Sequence, residues 1–253
     1  MPYPANVTDQ VYRYDGSFQG FLCCIFESFS RREVPAGVWP PERGQITFYG
    51  SRDIATDPVQ ARRVAAGLRR LGTEVRERVV RGFLSCNPEK EMILLRFVRL
   101  CFNLGPGAAR MTGDPDVCAA FDLERSVNNE AAKYIEFIRF EQRGALLGAQ
   151  IHPQNSILPL LRSHFCSRLP DEDFLIYDAT HGVAMLRQKG WVRYLAMERY
   201  DGGSGQEELN WQELWKRFFD ALTIEERRNE QGQRNHAPKR YWQDMCEMYP
   251  REF

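Results

Sequence analysis

The sequence has no C-x-x-C pair, so it lacks the close ligand spacing of zinc and iron–sulfur sites. It has no G-x-x-x-x-G-K-[S/T], no G-x-G-x-x-G and no G-x-S-x-G, which leaves nucleotide hydrolysis by a P-loop without a motif. An H-x-E followed by P-C-x-x-C is also missing, and that excludes a zinc deaminase. The first residues, MPYPANVTDQ, form neither a basic nor an apolar leader segment, and no signal peptide is expected. No run of about twenty apolar residues exists to span a membrane. Net charge is absent as well: 34 Lys and Arg balance 34 Asp and Glu. A protein that coats nucleic acid by charge alone is usually basic, so any nucleic-acid site here must be a local patch.

The chain has 253 residues, 43% of them hydrophobic and 12% aromatic, enough for a sizeable buried core. It reads as a single domain over 1–253, with sub-lobes at 1–143 (helical) and 144–253 (sheet plus C-terminal helices). Seven cysteines are scattered and odd in number. They read as reduced core thiols of a cytoplasmic protein, with no metal and no cofactor expected.

Val11 to Tyr14 predicts a short strand, and Asp15-Gly16-Ser17 a turn and N-cap. Phe18, Phe21, Leu22, Ile25, Phe26 and Phe29 follow at helical spacing and predict a core-facing helix. Ile46 to Tyr49 is a second strand candidate. Asp57-Pro58 caps a helix with Val59, Val64, Leu68 and Leu71, and another runs from Thr73 to Leu84. Their arginines (62, 63, 69, 70, 76, 78, 81) form either a basic face or an ordinary solvated surface. Pro88 to Leu104 and Val117 to Phe140 are further helical stretches, separated by a Gly- and Pro-rich loop. Near Gly144 the character changes. Leu146 to Ile151, Phe174 to Ala179, Val183 to Leu186 and Val192 to Met197 read as strands, with a hairpin turn at Thr180-His181-Gly182. A helix from Asn155 to Arg168 interrupts them. Leu209 to about Arg228 is the last long helix, and a shorter one follows Pro238. The expected class is α+β: a helical N-terminal half, a small mostly antiparallel sheet and a helical C-terminus.

Three constellations carry possible chemistry. His164 and Arg168 are four apart on a helix and share a face. A cation beside an imidazole favours the neutral ring, which suits a base or acceptor. The same pair also serves as a helix anchor. Asp178 ends an apolar strand with His181 three residues on, in the manner of an acid–base pair or of an Asx-type turn. His152-Pro153-Gln154-Asn155 leads into a helix N-terminus, a natural anion site unless Asn155 is only its cap. A metal held by the four histidines and Asp178 matches no zinc spacing.

The C-terminal fifth holds W-x-x-x-W-K-R-F-F, I-E-E-R-R-N and H-A-P-K-R-Y-W. Cations, planar amides and aromatic rings together suit phosphates and unstacked bases. Nucleic acid is therefore the leading partner.

Y-R-Y-D-G-S-F-x-G-F-L-C-C-I-F-E-S-F (Tyr12 to Phe29) resembles the opening of a bacterial family of unknown function labelled a "probable DNA metabolism protein". The likeness continues through Arg139-Phe140, N-x-I-L-P-L-L-x-x-H-F-x-x-R (Asn155 to Arg168), Ile176 to Asp178, Arg227 or Arg228 with Asn229, and P-K-R-Y-W (Pro238 to Trp242). His236-Ala237 departs from the bulkier apolar residue expected before Pro238. The resemblance implies a radical-SAM protein encoded nearby, sometimes a fused uracil-DNA-glycosylase-like domain, and a role in DNA modification or repair. With no C-x-x-x-C-x-x-C, this chain is not itself the radical-SAM enzyme.

Three expectations result. In the first, the chain is a DNA-binding accessory that presents single-stranded or damaged DNA to the radical-SAM partner. Arg139, Arg168, Arg227, Arg228, Lys239 and Arg240 then contact phosphates, Asn229 assists, and Tyr241 and Trp242 stack on bases. In the second it is an enzyme acting on a DNA base or phosphodiester, with His164 as acid or base, Asp178 orienting it and Arg168 holding the anion. In the third it is an adaptor that docks through Trp211, Trp215, Phe218 and Phe219.

Overall fold

A computed structural model describes residues 6–41, 49–200, 210, 213–215, 217, 218, 230–245 and 248. The chain divides into two compact units, Met1–Val127 and Asn128–Phe253.

In the first unit, Asp15 and Ser17 set the entry of α1 (Phe18–Ser30). Asp15 Oδ1 accepts from the Ser17 backbone N–H (2.9 Å) and hydroxyl (2.7 Å), and the Ser17 hydroxyl oxygen accepts from the Gly20 N–H (2.9 Å). An orphan N–H of the first turn is thereby satisfied. The helix buries Phe21, Leu22 and Ile25, as its spacing predicts, and also Cys23 and Cys24, while Phe18, Phe26 and Phe29 are only partly buried against the core. It packs with α2 (Pro58–Arg70), α3 (Thr73–Phe83) and α4 (Lys90–Leu104) around one apolar core. This unit is less purely helical than expected. β2 (Gln10–Arg13) lies between β4 (Gly37–Trp39) and β5 (Gly50–Asp53) in a three-stranded sheet, both pairings parallel. β1 (Asn6–Val7) pairs in parallel with β3 (Glu33–Val34). The strand candidate Ile46 to Tyr49 lies outside the described residues except for Tyr49.

The arginine face of α3 is neutralised within the fold. Arg78 is buried, bonds Glu124 (3.2 Å) and the Ala109 carbonyl (2.7 Å), and meets Glu74 (3.3 Å). Arg81 meets Glu77 and Glu124. The cysteine reading needs correction: Cys23, Cys24 and Cys101 are core thiols, but Cys86 and Cys118 are exposed. Burial pushes the Cys101 thiol up to about 12, so it stays protonated and inert.

Helix α5 (Pro115–Phe137) begins in the first unit and ends in the second. Asp114 Oδ1 caps its start by accepting from the Asp116 N–H (2.9 Å). In the second unit, β6 (Glu141–Arg143), β7 (Leu146–Ile151), β8 (Phe174–Asp178), β9 (Val183–Gln188) and β10 (Trp191–Ala196) form one sheet in the order β10-β9-β8-β7-β6. The sheet is mixed rather than mostly antiparallel, because β7 and β8 run parallel. The cause is α6 (Leu158–Arg168) between them: a helical crossover returns the chain to the same end of the sheet, which a tight turn cannot do. The remaining pairs, β6–β7, β8–β9 and β9–β10, are antiparallel. Phe165 of α6 and Phe174 of β8 both meet Phe140 edge-on in the core. A short helix, α7 (Glu230–His236), and a 3-10 turn over Lys239–Asp244 complete the described chain. Among the described residues no helix is long and apolar enough to cross a membrane.

Candidate functional site: two histidine–aspartate pairs at the carboxyl ends of β7 and β8

Asp178 is the last residue of β8, and its side chain is 1% exposed. Its Oδ1 accepts from the backbone N–H groups of Thr180 and His181 (both 3.1 Å), forming an Asx-type turn. Its Oδ2 lies 2.7 Å from His181 Nδ1. An ionised carboxylate only accepts, so Nδ1 carries the proton and Nε2 is left as the acceptor. The expected partnership with His164 is therefore replaced by one with His181. His164 sits on α6, turns its ring edge to Phe165 (4.9 Å), and has a buried Nε2 without a hydrogen-bond partner. Arg168 is exposed at the last turn of α6.

A second pair lies one strand away. His152 directly follows β7, and its Nδ1 is 2.6 Å from Asp244 Oδ1. The His152 backbone N–H donates to Asp244 Oδ2 (3.2 Å), and the Tyr134 hydroxyl donates to the same oxygen (2.9 Å). The Asp244 side chain is 2% exposed and the imidazole 32% exposed. With Nδ1 protonated, Nε2 accepts from the Gln150 amide at 3.1 Å. Burial, then the Asp244 charge and hydrogen bond, raises the Tyr134 phenol far above its ordinary value, so it remains an O–H donor.

The strand register joins the two pairs. Ile151 and Asp178 are partners across the parallel ladder, and the Ala179 N–H donates to the Ile151 carbonyl (2.9 Å). Two half-exposed imidazoles, each held by a buried carboxylate, thus leave adjacent carboxyl ends of parallel strands. Open α/β sheets bind ligands at such ends.

The anion site expected at His152–Asn155 is filled from within. Glu130 of α5 is buried and accepts from the Gln154 N–H (3.0 Å), the Asn155 N–H (2.7 Å) and the Asn155 side-chain amide (2.6 Å). The free amides that made this an anion site already hold a carboxylate. The N-cap of α6 is Ile157, not Asn155.

The C-terminal block divides into anchors and presented charges. Tyr241 was expected to stack on bases, but it is 1% exposed and packs edge-on to Tyr134 (5.2 Å) and against Phe137 (5.6 Å). Trp242 is half-buried, and its indole N–H donates to the Ala237 carbonyl (2.8 Å). Lys239 and Arg240 are exposed, with Lys239 over the Trp242 ring and Arg240 bonded to the Tyr241 hydroxyl (2.8 Å). Arg139 donates to the Glu136 carbonyl (3.2 Å) at the end of α5 and covers the Trp215 ring (5.5 Å), a helix-capping position. Arg227, Arg228, Asn229, Trp211 and Phe219 lie outside the described residues. Trp215 and Phe218 are helical and exposed.

Sequence reasoning missed Tyr134, Glu130 and Asp244. The available signal was a Glu and a Tyr four apart on an apolar face of α5, opposite a His-Pro step ending a strand. Asp244 follows the P-K-R-Y-W block at a distance of two residues and carries no motif of its own.

Fold and site together define an α+β protein with paired His–Asp groups at a sheet end. The chain belongs to the family described as "Domain of unknown function (DUF4130)", whose model matches residues 88–247, a span that contains Tyr134, His152, Asp178, His181 and Asp244. The opening motif Tyr12 to Phe29 lies before that span. No curated protein and no solved structure matches the chain.

Proposed function

We propose that this protein binds DNA through Lys239 and Arg240 and serves as an accessory that presents single-stranded or damaged DNA to a radical-SAM partner in modification or repair. One observation carries the DNA contact. Both cations are exposed on a turn whose neighbouring ring, Tyr241, is locked between Tyr134 and Phe137. Presenting charge from a fixed element lowers the entropy cost of binding. The partner and the repair role rest on the family resemblance alone. The test is fluorescence anisotropy of the full chain with single-stranded and duplex DNA at two salt concentrations, with Lys239→Ala/Arg240→Ala beside it. Salt-sensitive binding that weakens about tenfold or more in the variant supports the reading. Binding indifferent to salt, or unchanged in the variant, overturns it.

A second reading is favoured by the two His–Asp pairs: acid–base chemistry on a DNA base or phosphodiester. His152, rather than His164, is then the base, because Asp244 holds its Nδ1 proton and its half-exposed Nε2 becomes the acceptor once substrate displaces the Gln150 amide. Turnover lost in both His152→Ala and His181→Ala, with DNA affinity retained, supports it. Full activity in both variants ends it.

A further inference from the structure

The hairpin β9–β10 exposes side chains that a folded chain normally hides. Its turn is Lys189-Gly190, both at positive φ (49° and 79°), the pattern of a two-residue type I′ turn. Beyond it, Trp191 is 77% exposed, and Tyr194 and Leu195 are also exposed. Among the described residues β10 pairs only with β9, so it is an edge strand. A bare apolar edge is an aggregation hazard unless something covers it.

The covering chemistry is legible on the α6 side. Alternation along β10 places Val192 and Tyr194 on one face. Val192 lines a cleft of about 420 Å3 together with Arg162, Ser163, Ser167, Arg187 and Gly190. The Arg162 side chain is exposed and, among the described residues, forms no hydrogen bond or ion pair. Arg187 donates to the carbonyls of Pro170 and Glu172 and forms no ion pair among the described residues. Burial raises the Tyr194 phenol, with Arg162 opposing that rise, so the ring beside the arginine stays neutral. The neighbouring carboxylate Asp173 is tied to the Lys189 backbone N–H (2.7 Å) at the hairpin tip.

We infer that single-stranded nucleic acid lies along this edge, with a backbone phosphate in the cleft at Arg162 and Arg187, one base on Tyr194 on the same face, and another on Trp191, which alternation sets on the opposite face, where the strand rounds the open edge. This rests on the nucleic-acid reading above and adds a second contact surface, distinct from Lys239 and Arg240. An unpaired guanidinium, two hydroxyls and two bare rings are what a strand needs: charge and donors for its phosphate, flat faces for its bases. A duplex, whose bases are already stacked, offers nothing to the rings.

The experiment titrates the full chain with fluorescein-labelled dodecathymidylate and follows anisotropy and tryptophan emission. Arg162→Ala/Tyr194→Ala is expected to bind about tenfold more weakly. Trp191→Phe is expected to lose part of the quenching, and Tyr194→Phe to bind as the wild type. Should the double alanine variant not fold, Arg162→Glu, a single exposed change, takes its place. If the hairpin variants weaken binding and Lys239→Ala/Arg240→Ala does not, this surface holds and the C-terminal assignment fails. If both sets weaken it, both hold. Hairpin variants binding like the wild type while the C-terminal variant fails overturn this inference alone. Absence of binding by the wild type overturns both. Heparin bound as tightly as the oligonucleotide, without tryptophan quenching, also overturns the inference by reducing the surface to a general polyanion patch.

Discussion

At the scale of single residues, Asp244 is the hub of the second unit's polar cluster. It is the acceptor for a phenol, an imidazole and a backbone N–H, all from distant positions. Asp244→Ala leaves buried donors without an acceptor, and we expect a loss of about 3 kcal/mol in urea unfolding. His152→Ala removes only a half-exposed ring and should cost about 1 kcal/mol. Equal losses in the two variants would contradict the hub assignment. Glu33 of the first unit gives a pH prediction. Burial works to raise its carboxyl, but hydrogen bonds from the Tyr12 hydroxyl (2.5 Å) and from Arg52 lower it further, and the net shift is downward. The folded value is then below the unfolded one, near 4.3. Its contribution to stability is present above the unfolded value and fades as pH falls through the folded one. Glu33→Gln should therefore be less stable at neutral pH and flatten the acid limb of a urea-midpoint profile. Parallel profiles for the two proteins would show that the carboxylate is not held this way.

At the scale of elements, the start of α1 was legible because its chemistry is local: Asp15 and Ser17 sit beside the N–H groups they serve. The same corner shows why Gly20 is needed. A Cβ there would overlap Asp15 Oδ1 and come within 2.9 Å of Thr56 Oγ1 and 3.0 Å of the Tyr14 ring. Helix propensity favours Ala over Gly by about 0.5–1 kcal/mol. Overpacking costs about 1–3 kcal/mol, so Gly20→Ala should lower the melting temperature. A rise would mean that propensity outweighs the crowding. The strands of the second unit were legible from alternation, but the sense of their pairing was not. A pattern of period two is the same in parallel and antiparallel sheets, and only the crossover by α6 distinguishes them. In the first unit, β4 is only three residues long and β5 carries no hydrophobic residue. Gly50, Ser51 and Asp53 are exposed, and their partnership with β2 is a product of the packed fold.

At the scale of the whole molecule, zero net charge limits how nucleic acid could be held under the proposed reading. No general field gathers phosphates, so affinity must come from a few placed cations. With roughly three or four phosphate contacts, log affinity for single strands should fall with log salt at a slope of about −2 to −3. A slope steeper than about −5 would reveal a coating mode instead. The candidate site was the least legible part of the chain. His152, Asp178 and His181 drew notice as titratable residues at strand ends. Their true partners did not, since the Tyr134–Asp244 and His152–Asp244 contacts join residues 110 and 92 positions apart. No local pattern encodes a contact at that separation. His164 looked more promising because its neighbour Arg168 is close in sequence, yet its Nε2 is enclosed without a partner.

Those long separations also order events in time. A chain emerging from the ribosome exposes residue 134 first, residue 152 soon after, and Asp244 only 92 residues after that. Closing loops of this length is slow relative to helix and hairpin formation. Until the turn over Lys239–Asp244 docks, His152 has no carboxylate to fix its proton, and Tyr241, beside Lys239 and Arg240, is not yet packed on Tyr134. The His152–Asp244 site is thus assembled only after residue 244 has been made. Under the DNA-binding reading proposed above, the same delay would hold back the contact through Lys239 and Arg240.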